Sequence, residues 1–281
     1  MHRSANDLAP TREPKAMVAV APPPCRRFTP RIPAALVWAL SVLFVLGPCE
    51  PTARADRSGG LEYVEIVTGG ARPGDPLPLV VALHGRGGGI AQLRNELERM
   101  PVPVRLIVPR GPIRVDGGRR AWFGERVGQR SSADLAATAS GTAAELATLI
   151  EDLERRRPTC GEAIVVGWSQ GGTLAFVLAL AHPRLVEHAI VVGGSLPHAL
   201  TPRRLAPHAR VTALHGTADR RVPFGGTRTL TAGLRSLGFA VQLRPYLGVG
   251  HELTGSMRRE LRAIVRDEAE QAASRCTGAR R

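Results

Sequence analysis

Lysine is almost missing from this 281-residue chain: Lys15 is the only one, and arginine supplies the rest of a formal charge of +14. Aromatic residues are scarce at 4%, and no basic segment is interleaved with them, so there is no stacking platform for bases and nucleic acid is not expected as a partner. The uniform use of arginine and alanine reads as coding bias. The pairs Arg119–Arg120 and Arg220–Arg221 and the run 155–157 fall where solvated turns or helix ends are expected. Cysteine is limited to four residues, and no Cys/His set has metal-ligand spacing, which argues against a metal site. Nothing implies a cofactor. Internal repeats are absent, which excludes a solenoid.

What is present suits one large core: 43% hydrophobic and 22% charged residues over a length that favours a single domain. The 31 glycines and 23 prolines are scattered, as turn punctuation in a multi-element α/β protein. Near the N-terminus Arg26, Arg27 and Arg31 precede the apolar run 34–47, and Ala53-Arg54-Ala55 follows with the small-x-small pattern read by signal peptidase. The run is short of the ~20 residues that span a bilayer. We therefore expect 1–55 to be a signal segment cleaved after Ala55, 56–281 to be the folded domain, and the product to be secreted or periplasmic without a stable membrane span. Met17 is an alternative start, and Arg26-Arg27-Phe28 resembles a degenerate twin-arginine signal. Cys49 follows a lipoprotein-like Leu-Gly-Pro, but proline directly before the cysteine argues against that processing. Only Cys160 and Cys276 survive cleavage, and either a disulfide or two buried thiols fits. The oligomeric state is left open.

After a polar linker at 56–60, strand-like runs occupy 61–67, 79–83, 104–109, 162–166, 188–192, 211–215 and 241–246. Helical periodicity occupies 91–100, 141–156, 171–181, 226–237 and 252–273. Several strand runs are continuously apolar, as in strands covered on both faces, and 171–181 is apolar enough to be a buried central helix. The alternation predicts a mostly parallel sheet with helices on both faces and ligands at the carboxyl ends of the strands.

Gly167-Trp168-Ser169-Gln170-Gly171-Gly172 joins the strand at 162–166 to that central helix, the context of a nucleophile elbow. The sharp turn strains the serine, and glycines two residues to either side are needed because a side chain there would strike the neighbouring strand or helix. A serine hydroxyl also needs a base oriented by a third group. In an α/β-hydrolase fold the acid and then the histidine follow along the chain. Asp219 follows the strand at 211–215 in Gly216-Thr217-Ala218-Asp219, and His251 follows Val249-Gly250 before the last helix. Asp134 and Glu252 are competing acids, and Asp219 could simply be a turn residue. His182, His188, His198 and His208 lie at helix ends or loops where exposure accounts for them. Backbone N–H groups of Gln170 and of the loop Leu83-His84-Gly85-Arg86-Gly87-Gly88-Gly89 are candidate oxyanion donors. That loop matches neither the dinucleotide nor the P-loop spacing.

His84-Gly85, Arg120-Ala121-Trp122-Phe123, the elbow, His215-Gly216-Thr217-Ala218-Asp219 with Val222-Pro223, and Gly250-His251-Glu252 together resemble the phospholipase/carboxylesterase family over 61–266. That family includes acyl-protein thioesterases and bacterial carboxylesterases. The resemblance implies an α/β-hydrolase domain without a large lid, acting on small carboxylic esters or thioesters. It places Ser169, Asp219 and His251 in the triad, and the N–H groups of Arg86 and Gln170 in the oxyanion hole. Gly85, Trp122 and Trp168 are the candidate substrate-pocket residues. Two positions depart from the family pattern. Arg86 and three glycines replace an apolar residue and an acid, and Gly124 follows Trp122-Phe123 in place of an aspartate. A depolymerase or peptidase with the same triad is an alternative, and a non-catalytic binding protein on this scaffold would require a broken triad.

Overall fold

The computed structural model of the protein describes residues 53–124 and 131–278. The leader expected at 1–55 thus lies outside the described residues except for Ala53, Arg54 and Ala55. Among the described residues ten strands form: β1 (Ala53–Ser58), β2 (Leu61–Val67), β3 (Leu79–Leu83), β4 (Arg105–Pro109), β5 (Ile113–Val115), β6 (Arg119–Ala121), β7 (Ala163–Trp168), β8 (Val186–Val192), β9 (Arg210–Gly216) and β10 (Val241–Tyr246). The helices are α1 (Ala91–Leu97), α2 (Ser132–Arg156), α3 (Gln170–Ala181), α4 (Phe224–Ser236) and α5 (Gly255–Gly278).

Eight strands make one sheet in the order β1-β2-β4-β3-β7-β8-β9-β10. From β4 to β10 every pairing is parallel, while β1 and β2 join antiparallel at one edge. Because side chains alternate across a strand, each central strand feeds two cores. Leu79, Val81, Val165 and Val191 pack with α2, α3 and α4 on one face. Val80, Ile164, Val166 and Ile190 pack with α1 and α5 on the other. Continuous apolar runs in the sequence are the result. α3 is buried along nearly its whole length, as its composition predicts. This is the expected α/β-hydrolase architecture, with the carboxyl ends of β3, β7, β9 and β10 along one rim.

Three expectations need correction. The linker expected at 56–60 is instead the second half of β1 and a turn through Gly59 and Gly60, both at positive φ. β1 is an exposed edge strand of polar and small residues, so it lacks an apolar alternation to read. α2 starts at Ser132 and not at 141: the Ser131 hydroxyl caps it by accepting the Asp134 N–H at 3.1 Å, and Gly141 is carried inside the helix. His188, expected to be exposed, is buried in β8, where its Nδ1–H donates to Glu268 at 3.0 Å and its Nε2 accepts from the Thr212 hydroxyl at 2.9 Å.

Cys160, just before β7, and Cys276, near the end of α5, are joined in a disulfide across 116 residues, with Cα atoms 5.4 Å apart. Closing a loop of this length stabilises a fold by about 2–5 kcal/mol. Cys276→Ser should therefore lower the unfolding midpoint by roughly 5–15 °C. Calorimetry of wild type with and without reductant should give the same gap, and equal midpoints would show that the clip is not formed.

Candidate active site

Ser169 sits at the junction of β7 and α3 with φ 55° and ψ −112°, the only described non-glycine residue at positive φ. Such a backbone costs about 1–3 kcal/mol and persists only where its surroundings enforce it. Here they do. A Cβ on Gly167 would lie 2.1 Å from the Gly171 carbonyl oxygen, and one on Gly171 would lie 2.1 Å from that of Leu83. The turn closes so tightly that only glycine fits on either side, and Ser169 is left partly exposed above it.

His251 Nε2 is 2.9 Å from Ser169 Oγ, and His251 Nδ1 is 2.6 Å from Asp219 Oδ2. Asp219 is held in turn: its Oδ1 accepts the N–H groups of Arg221 and Val222, each at 2.9 Å. Since the carboxylate accepts, Nδ1 carries the imidazole proton and Nε2 presents a lone pair to the serine hydroxyl. The imidazole lies beside the Trp168 indole, with centroids 4.8 Å apart, and over Gly193, where a Cβ would stand 3.5 Å from its Cε1. The competing acids are elsewhere: Asp134 accepts the Ser131 hydroxyl at the start of α2, and Glu252 is exposed.

The loop after β3 is braced by a histidine. His84 Nε2 accepts the Gly111 N–H at 2.9 Å, so Nδ1–H donates to the Gly85 carbonyl at 2.8 Å. Gly85 presses on the elbow, where a Cβ would lie 2.6 Å from Trp168 and 3.3 Å from the Ser169 Cβ. Gln170, first in α3, ties the elbow to the next segment: its side chain accepts the Trp122 N–H at 3.1 Å and donates to the Phe123 carbonyl at 2.8 Å. The Arg86 N–H makes no hydrogen bond among the described residues. Trp122 requires a correction. It is buried, stacked on His84 with centroids 4.9 Å apart, and its indole N–H donates to the His84 carbonyl at 2.7 Å, so it supports the loop from behind and does not line the pocket.

Above Ser169 opens a cleft of about 750 Å³, walled by Trp168, His251, Val222 and a set of polar side chains. Among the described residues no group of three His, Cys, Asp or Glu side chains could hold a metal ion, and no helix is long and apolar enough to cross a membrane.

Burial holds the imidazoles of His84, His188 and His215 below their ordinary titration range near 6.5. Each is therefore neutral when folded and takes up a proton more readily when unfolded. The stability they contribute is fully present above about pH 6.5 and is lost as pH falls through the lowered values. Urea midpoints should hold between pH 7 and 8 and drop by pH 5, and a midpoint that stayed flat to pH 5 would show these imidazoles to be solvated.

A strained serine thus meets an imidazole that is itself fixed by a buried carboxylate, and the phospholipase/carboxylesterase family model matches residues 63–266, the stretch that contains all three. The chain belongs to the phospholipase/carboxylesterase family. A rice protein (Oryza sativa subsp. japonica) named as a probable carboxylesterase is 33% identical over 94 residues, covering 32% of this chain and 35% of the rice protein. The matched stretches span less than half the length of the curated rice relatives. Among solved structures, esterase PE8 superposes with a TM-score of 0.61 at 22% identity, covering 78% of this chain and 99% of the other. The Bacillus cereus carboxylesterase gives 0.58 at 19% identity, covering 74% and 94%. These likenesses establish the fold. The β5–β6 hairpin supplies part of the wall of the cleft: Arg119, first in β6, and Asp116, just before it, line it. Arg119 is exposed at the end of the hairpin turn, in keeping with its sequence context, and the hairpin brings it over Gly87.

Proposed function

We propose that the protein is an exported serine hydrolase that cleaves carboxylic esters or thioesters through an acyl-enzyme. The observation that carries this reading is the unbroken chain Ser169 Oγ, His251, Asp219, at 2.9 and 2.6 Å. His251 takes the serine proton as Oγ attacks the ester carbon. The tetrahedral oxyanion rests on the N–H groups of Arg86 and Gln170, aided by the N-terminus of α3. His251 then gives its proton to the departing alcohol or thiol. Water, deprotonated by the same imidazole, frees the acid and restores the serine.

Export is supported by the apolar run at 34–47 with its Ala53-Arg54-Ala55 site, and by a disulfide suited to an oxidising compartment. An alkyl fluorophosphonate tests the chemistry without a known substrate. One equivalent should be incorporated, on Ser169, and peptide mapping of the adduct to another residue would sink the assignment.

A further inference from the structure

Among the described residues four of the cleft's side chains are arginines, Arg86, Arg119, Arg220 and Arg221, against a single carboxylate, that of Asp116. They come from two sides of Ser169. Arg86 belongs to the loop after β3, and Arg119 lies above that loop, 3.7 Å from where a Cβ on Gly87 would be. Arg220 and Arg221 follow Asp219, and the Arg221 backbone is pinned to the Asp219 carboxylate. Among the described residues none of the four guanidinium groups is paired with a carboxylate. Arg86 donates to the Gly124 carbonyl at 3.0 Å and Arg119 to the Asp116 carbonyl at 3.0 Å, which orients both without neutralising them. Elsewhere Arg105, Arg157 and Arg210 lie on Glu65 or Glu268. The apolar side chains of the wall are few, Val115, Trp168 and Val222, and offer no bed for a long acyl chain.

A cleft lined by one sign of charge concentrates ligands of the other, and guanidinium forks fit the planar or tetrahedral oxygens of an oxyacid. We infer that the ester delivered to Ser169 is a small polar molecule that itself carries an oxyacid group, carboxylate or phosphate, held by these arginines. This specificity rests on the ester-cleaving reading of Ser169. The arginines are largely exposed, so the preference should be moderate and sensitive to salt.

The test uses pairs that differ only in charge: monomethyl glutarate against its carboxamide analogue for an anion on the acyl side, and 4-acetoxybenzoate against 4-acetoxybenzamide for one on the leaving group. In at least one pair kcat/KM should favour the anion about tenfold, and the ratio should shrink at about 0.5 M salt. The double variant Arg220→Gln/Arg221→Gln or the single variant Arg119→Gln should lower the ratio, while Arg204→Gln, which makes the charge change of the single variant outside the cleft, should keep it. Competition by glutarate and by inorganic phosphate then tells which oxyacid is preferred, and inhibition by either supports the inference. Ratios near or below one in both pairs, with Ser169 still labelled by a fluorophosphonate, would overturn the specificity alone. Absence of both labelling and turnover would overturn the ester-cleaving reading and this inference with it.

Discussion

Ser169→Ala should lower kcat for a short-chain aryl ester by about a millionfold while leaving the thermal midpoint within a few degrees of wild type. The size follows from what is removed. Without Oγ there is no acyl-enzyme, and water must attack in a cleft that retains only substrate binding and the oxyanion donors, worth together about 10³–10⁴ over the uncatalysed reaction. The fold should tolerate the change because alanine keeps the Cβ already accommodated at φ 55°, and the glycines that enforce the turn are untouched. Initial rates with 4-nitrophenyl butyrate, beside a circular dichroism melt, would measure both quantities. A residual rate within a hundredfold of wild type, in protein free of contaminating esterase, would remove Ser169 from the chemistry.

Asp219→Asn is the second large effect, about 10⁴ in kcat with KM little changed. Asp219 accepts three hydrogen bonds: two backbone N–H groups at Oδ1 and the His251 Nδ1–H at Oδ2. An amide oxygen in the Oδ1 position keeps the backbone pair, so the loop stays in place. The NH₂ group then faces Nδ1 as a donor and drives the imidazole proton to Nε2, where it points at the serine it should deprotonate. Steady-state kinetics on the folded variant would show the effect. A loss of less than tenfold would reassign Asp219 to holding the loop alone.

Both predictions concern residues that were readable from the sequence, and the reason is physical. A nucleophile elbow demands glycine at fixed offsets, a strand before it and an apolar helix after it, and all of these are local. Asp219 and His251 follow from strand order, because a parallel sheet brings the residues after each strand to one rim. The central strands were clear for a related reason, being apolar on both faces. What escaped depends on partners that a segment's own local pattern does not reveal. β1 is a strand only because β2 offers it an edge, His188 is buried only because α5 brings Glu268 to it, and Trp122 is a support because His84 stacks on it. The arginine lining is of the same kind: Arg119, Arg220 and Arg221 look like solvated charge in the sequence and become a cleft wall only where the hairpin and the Asp219 loop border the same cleft.

Strand β1 gives the proposed maturation a consequence of its own. Ala53, Arg54 and Ala55 pair with Ile66, Glu65 and Val64 of β2, so a peptidase acting after Ala55 would strip half of the outermost strand. The mature molecule would then present a short run of unsatisfied backbone donors and acceptors along β2, a template on which another extended segment could dock by main-chain pairing. Processing of the leader would thus do more than release the enzyme: it would shift half of the sheet's open border from β1 to β2.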